Sequence, residues 1–277
     1  MNSSKNGSFT SRLSSMLRVD FKRLFLSRAF YIIVASCLLA PILILVMTTM
    51  MDGTVSVNHQ TGEETVIEGF KNVWQIIGSV SDSSANQSPD ASSGAAAMDM
   101  NLTSMCNINM LYFAISALVC IFVSEDFRSG YSKNLFTVRA KKTDYVASKT
   151  IVLTFGAAMM VLAFFLGSLV GGAVSGVSFE MSGFHLGNLF MCVLSKMALV
   201  SVFVPIYLVM SVVAKQRLWM SILLSMAVGM FLFMMIPMLT PLNATPMHLL
   251  LCAVGGVGFS LGLGAISNLI LRKTSLI

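Results

Sequence analysis

Side chains able to do chemistry are scarce in this chain. Among 277 residues there are 18 Lys or Arg, 12 Asp or Glu and three His. The histidines, His59, His185 and His248, lie far apart, and none has the H-E-x-x-H spacing that sets two imidazoles on one helix face. Glu63-Glu64 begins like an intramembrane protease motif, but it sits in a hydrophilic stretch without the matching Arg or a membrane-buried His. The five cysteines, Cys37, Cys106, Cys120, Cys192 and Cys252, form no C-x-x-C or Cys/His pair and read as small apolar side chains. No G-x-x-x-x-G-K-[ST] phosphate loop occurs, since Gly is never followed by Lys. The chain cannot hold ATP phosphates by that route.

Two groups of charge remain. The first is an island at 124–149, with Arg128, Lys133, Arg139, Lys141, Lys142 and Lys149 against Glu125, Asp126 and Asp144. The second is Lys196, alone inside an apolar segment. A charge at the bilayer centre costs about 2.5–3.5 kcal/mol on insertion scales, so Lys196 needs a reason. Either it faces an internal path, or its stem snorkels to the outer interface. The length of its segment favours snorkelling. Asn107 and Asn109 are the polar groups that join Lys196 in a candidate substrate path. Ser116, Ser195, Ser201, Ser211 and Asn268 read as helix–helix hydrogen-bonding groups. A path of this character is weakly polar and suits an amphipathic or lipid-like cargo, for which the 22 methionines offer an adaptable surface.

The elements that must position these groups are membrane helices. The chain is 56% hydrophobic and 11% charged, with a mean hydropathy of +0.81; a soluble domain carries about 25% charged residues. Six apolar segments of spanning length fall at 29–50, 105–123, 150–174, 186–213, 218–238 and 247–271. The fold class is therefore an all-α polytopic membrane protein. Residues 1–28 form a cytoplasmic leader, disordered over 1–10 and an amphipathic interfacial helix over 11–28. Leu13, Met16, Leu17, Leu24 and Phe25 share one face of that helix, and Arg12, Arg18, Lys22 and Arg23 rim it. Residues 29–277 form the transmembrane domain. The apolar run after the leader is too long for a signal peptide. Cys37 has too little apolar sequence before it for a lipoprotein site.

With both termini inside, sixteen of the 18 Lys/Arg lie on the cytoplasmic side, as the positive-inside rule requires. The net charge of +6 has this origin and does not point to nucleic acid. Residues 51–105 then form a large extracellular loop. Val66, Ile67, Phe70, Val73, Trp74 and Ile77 follow helical spacing in it, which predicts a short helix on the outer leaflet with Trp74 at the interface. Residues 79–97 are low-complexity and expected to be mobile. Gly167, Gly171, Gly172 and Gly176 predict close helix packing in the third span.

This arrangement resembles the permease subunit of type-2 (type V) ABC exporters, among them bacterial peptide-export and lantibiotic-immunity permeases. The local likeness lies in the island: an acidic residue, Gly, Lys, a short helix, Arg, and a Lys entering span three. Here these are Glu125, Gly130, Lys133, 134–138, Arg139 and Lys149. Tyr131 stands where many relatives have Thr, and Thr137-Val138 where many have Pro and Ser. The resemblance implies that 124–149 is a cytoplasmic coupling loop. It would dock on a separate ATPase through Glu125, Arg128, Gly130, Lys133, Leu135, Phe136 and Arg139. It further implies two ATPase subunits that bind ATP-Mg, a second permease copy or related permease, contact with membrane lipid, and no cofactor or catalysis in this chain. The expected place is a bacterial plasma membrane. The competing reading is an ATP-independent transporter or channel that uses Lys196.

Overall fold

The computed structural model describes residues 9–57, 64–66, 69–78, 106–138, 141–214, 217–233 and 235–273. The expectations for 1–8, for the low-complexity stretch at 79–97, and for His59, Glu63 and Arg139 lie outside the described residues. The leader forms α1 (Phe9–Leu26), followed by α2 (Arg28–Met51). A short antiparallel hairpin, β1 (Val55–Val57) with β2 (Glu64–Val66), opens the hydrophilic segment. After it come α3 (Leu111–Arg128), α4 (Tyr131–Val138), α5 (Lys142–Ser175), α6 (Leu186–Ala214), α7 (Leu218–Phe233), α8 (Met235–Leu239) and α9 (Pro246–Lys273). Apart from the hairpin and two 3-10 turns, the described elements are α-helical.

Five helices, counting α3 with its preceding 3-10 turn, are long and apolar enough to cross a membrane. The shorter apolar α7 supplies the sixth expected segment and stops before Pro237. Helix α5 has 34 residues, so it is about 51 Å long and overshoots a hydrocarbon core of ~30 Å. Its N-terminal turns therefore project past the membrane on the basic end, which the charge distribution makes cytoplasmic.

This overshoot corrects the expected loop. Within 124–149, α3 continues to Arg128 and α5 begins at Lys142. Charged side chains end a hydropathy window; they do not end a helix. Between α3 and α4 the turn is made by Gly130 at φ 72, a left-handed conformation that side chains with Cβ resist. The glycine of the coupling pattern thus has a backbone reason.

Packing follows the small residues. α2 lies along α5, and α9 along α6. A Cβ at Gly167 would sit 2.1 Å from the Leu38 carbonyl oxygen, and one at Gly171 would sit 2.9 Å from Ile42 Cα. The glycine stripe of α5 is therefore in backbone contact with α2 around Pro41, as the spacing predicts.

The outer segment differs from expectation. Val66 is in β2, and the helical part is a 3-10 turn at Val73–Ile76. Trp74 is buried, donates from Nε1 to the Phe179 carbonyl at 3.1 Å, and meets Phe179 and Phe184 edge-on. The turn caps the protein over the α5–α6 connection and does not lie on the leaflet. Protein contacts satisfy the indole better than the interface does, because its N–H finds a fixed acceptor.

Candidate functional site at the basic end of the bundle

Where α1, α3 and α5 meet, four charged side chains close into one cluster. Asp20 comes from the buried stripe of α1, between Met16 and Leu24. Asp126 stands near the C-terminus of α3, and Lys149 two turns into α5. All three are fully buried. Lys149 Nζ lies 2.8 Å from Asp20 Oδ1 and 2.7 Å from Asp126 Oδ2. Arg23 of α1 brings Nη1 to 2.6 Å from Asp126 Oδ1, an ion pair without aligned hydrogen-bond geometry. Two hydroxyls complete the carboxylate contacts. Ser148 donates to Asp20 Oδ2 at 2.6 Å, and Tyr145 donates to Asp126 Oδ2 at 3.0 Å.

The cluster balances two carboxylates with two cations, which is what permits its burial. A peripheral pair, Arg12 Nε to Asp144 Oδ2 at 3.0 Å, ties the first turns of α1 to the start of α5. Together these contacts hold the leader against the bundle. Its apolar face is thus a protein contact through Met16 and Leu24, while Phe9, Val19 and Leu26 stay exposed.

The short helix α4 joins the same cluster. The Arg23 guanidinium lies 4.1 Å from the Tyr131 ring centroid, and the Lys149 ammonium 4.2 Å from that of Phe122. Burial, and next the charge of Asp20, push the Tyr131 phenol above its ordinary value, although Arg23 pulls the other way. Phe136 stands edge-on to Tyr145 at 5.3 Å, the same tyrosine that bonds Asp126. So α4 is braced on the charge cluster from both of its ends.

The expected coupling residues divide by face. Lys133 is exposed, as are Asn134 and Thr137 beside it, and Glu125 and Arg128 are exposed at the end of α3. Gly130 forms the turn. Leu135 and Phe136 are half-buried and pack against the core, so they brace α4 from within. Lys149, counted with the solvated island in the sequence, is fully buried, as is Asp126. Reasoning from sequence missed Asp20, Asp126, Tyr145 and Ser148. Asp20 did leave a signal. It is the leader's single acidic residue, and it sits four residues from both Met16 and Leu24, on the apolar face.

Lys196 occupies a second polar site, and snorkelling is overturned. It is fully buried, and Nζ donates to Asn109 Oδ1 at 3.0 Å and to Thr240 Oγ1 at 2.9 Å. Ten residues into α6, its stem and ammonium are enclosed by protein and do not extend along a lipid-facing surface. The Thr240 hydroxyl donates to Ile236 O, leaving a lone pair for the ammonium. Asn107 takes part indirectly: its Oδ1 accepts from the Asn109 N–H at 3.0 Å and orients that residue. Structure thus brings Asn107, Asn109 and Lys196 together, with Thr240 as a partner the sequence did not suggest. Among the described residues no carboxylate pairs with Lys196.

The string Gly258-Phe259-Ser260-Leu261-Gly262 spells G-x-S-x-G. From the sequence no G-x-S-x-G nucleophile turn is expected; the string is present but lies in the uninterrupted helix α9 and not on a strand-to-helix turn, and Ser260 donates to the Ser201 carbonyl.

The described helices form a polytopic bundle with a charged inner end and a leader bound into it. The family described as "ABC-2 family transporter protein" matches residues 16–234, from the leader through α7. The chain belongs to this family. It is a multi-pass membrane permease subunit of an ABC transporter, a class whose membership implies an ABC ATPase partner. No curated protein and no solved structure matches the chain.

Proposed function

We propose that the chain is the permease of an ATP-driven exporter, and that its motor is a separate ATPase docked on the outward face of α4. The observation that carries this reading is the construction of α4. It is a short helix past the membrane, exposed through Lys133, Asn134 and Thr137, and braced behind on a neutral buried charge cluster. A push on such a helix reaches α1, α3 and α5 together, because the cluster belongs to all of them. Glu125 and Arg128 flank the face and supply the charges that fix register. Two ATPases and two permease copies would complete the working unit, with ATP-Mg held by the ATPases. The absence of a phosphate loop in this sequence agrees with that division of labour. Coupling requires that the nucleotide-bound ATPase pair contact α4 differently in its two states.

The cargo in this reading is a peptide or another amphipathic, lipid-like molecule, as in immunity against membrane-active peptides. Weakly polar spans support it. Ion-driven transport through Lys196 is the second reading, favoured by that residue's burial with no carboxylate partner among the described residues. It lacks the intramembrane carboxylates that relay protons or bind cations. Transport by the permease alone in ion-loaded liposomes is the result that would support it.

The test is co-expression with the ATPase encoded beside this chain, followed by copurification and an ATP-hydrolysis assay. A stable complex that Lys133→Glu with Thr137→Trp dissociates is the expected result. Leu135→Asp, an inward change, is expected to lower the yield of folded permease instead. No complex in any form overturns the exporter reading.

A further inference from the structure

An open pocket of about 440 Å³ lies at the elbow where the leader turns into the first span. Arg23 of α1, Ser27 at the elbow, Arg28 of α2, and Phe122 and Glu125 of α3 are among the residues that line it. Opposite charges thus face one space without closing on each other. Arg28 and Glu125 are both exposed. Among the described residues neither forms an ion pair with any other side chain. Arg23 differs, because its Nη1 is taken by Asp126 at 2.6 Å, yet its side chain is still 27% exposed. A guanidinium carries five N–H donors, more than one carboxylate oxygen uses. Ser27 makes no side-chain cap bond to α2, so its hydroxyl stands at the same space.

The depth of the pocket limits what can fill it. Arg28 is the first residue of α2, the first span, at the basic end of the bundle. That places the elbow at the level of the inner-leaflet headgroups, where lipid phosphates are concentrated. Leu26, Tyr31 and Ile32 are exposed on the two sides of it along the chain, an apolar surface for acyl chains. Glu125 then decides between headgroups. A plain anion that reaches Arg28 is repelled by this carboxylate. A headgroup that carries a phosphate and, two carbons away, a primary ammonium satisfies both signs of charge at once.

We infer that the elbow pocket binds the phosphoethanolamine headgroup of a membrane lipid, with the phosphate on Arg28 and Arg23 and the ammonium on Glu125. The lipid is a resident ligand and not a cargo, so the assignment stands apart from the exporter reading. It nevertheless reaches the helix proposed to receive the motor. The Arg23 guanidinium that lines the pocket also lies 4.1 Å from the Tyr131 ring centroid of α4. A headgroup that holds Arg23 from the elbow side stiffens the joint between the leader, the first span and the seat of α4.

The test uses the full chain, purified in detergent and stripped of lipid, with lipid binding counted by native mass spectrometry. Glu125 also flanks the proposed motor face, so binding is read on the permease alone. Three probes share their acyl chains: phosphatidylethanolamine, phosphatidylcholine, whose ammonium has no N–H to donate, and phosphatidylglycerol, which has no ammonium. General attraction to a basic surface favours phosphatidylglycerol, the one probe of the three with a net charge. The pocket predicts the reverse, with phosphatidylethanolamine held about three- to tenfold more tightly than either of the others, the range for one hydrogen bond. Glu125→Gln is expected to erase that preference without weakening phosphatidylglycerol. Arg28→Gln is expected to weaken all three. Both positions are exposed, and the probe series on the unchanged chain stands without either variant. Equal retention of the three lipids, a preference for phosphatidylglycerol, or a preference for phosphatidylethanolamine that survives Glu125→Gln overturns the site. Free phosphoethanolamine is the fourth probe. Its failure to displace the lipid at equal concentration supports the membrane source, and displacement overturns it in favour of a soluble compound with the same two charges.

Discussion

Among the described residues two lysines are completely buried, and they are solved in opposite ways. Lys149, at the basic end, is held between two carboxylates and neutralised. Lys196, within the membrane, meets only an amide and a hydroxyl oxygen. One charge is spent on joining three helices. The other is held by neutral oxygens, and among the described residues no carboxylate pairs with it. Burial alone does not distinguish these roles; the identity of the partner oxygens does.

Removing the two lysines should therefore give unlike results. Lys149→Met strands Asp20 and Asp126 against each other, so a loss of about 3–5 kcal/mol is expected. Thermal unfolding in detergent measures it, and a loss below that of Asp20→Asn would break the comparison. Asp20→Asn removes one charged partner of Lys149 but keeps Asp126, and a loss of about 1.5–3 kcal/mol is expected by the same measurement. Tyr131→Leu keeps the apolar bulk of α4 and removes only the ring under Arg23. Its expected cost is about 0.5–1 kcal/mol, with weaker ATPase stimulation in the complex as the more sensitive readout.

Lys196→Met is the smallest effect on stability. It releases an insertion cost of about 2.5–3.5 kcal/mol and leaves Asn109 Oδ1 unpaired at a cost of about 1–3 kcal/mol. The two nearly cancel, so the unfolding midpoint should hold or rise while cargo-stimulated ATP hydrolysis falls. A large destabilisation would show that Lys196 is a structural pin like Lys149.

How much of this was legible follows from how far apart the partners are in the chain. Each apolar segment announces its helix through its own residues, and the glycines of α5 announce close packing through a spacing of four. The leader's amphipathic face is equally local. The cluster is not local. Asp20, Asp126 and Lys149 come from three elements, and each alone reads as an ordinary charge of a solvated segment. Only the placement of Asp20 on an apolar stripe hints that it is buried. The island was read as a loop because charge lowers hydropathy, whereas α5 keeps its helix by extending beyond the membrane. Phe136 was read as an anchor for the motor because its exposure depends on the direction in which α4 lies, which Gly130 sets. Segment length points Lys196 to the interface, whereas Asn109 and Thr240 supply its partner oxygens inside the protein.

The most direct test of the account is a photocrosslinking scan of α4 in the assembled complex. A photoreactive phenylalanine analogue is placed singly at Lys133, Asn134, Leu135 and Thr137, and at Met230 of α7 as a membrane control. The account predicts ATPase adducts from 133, 134 and 137, with intramolecular products from 135 and none to the ATPase from 230. ATPase adducts absent from α4, or no stronger there than at Met230, would contradict the claim that this helix receives the motor.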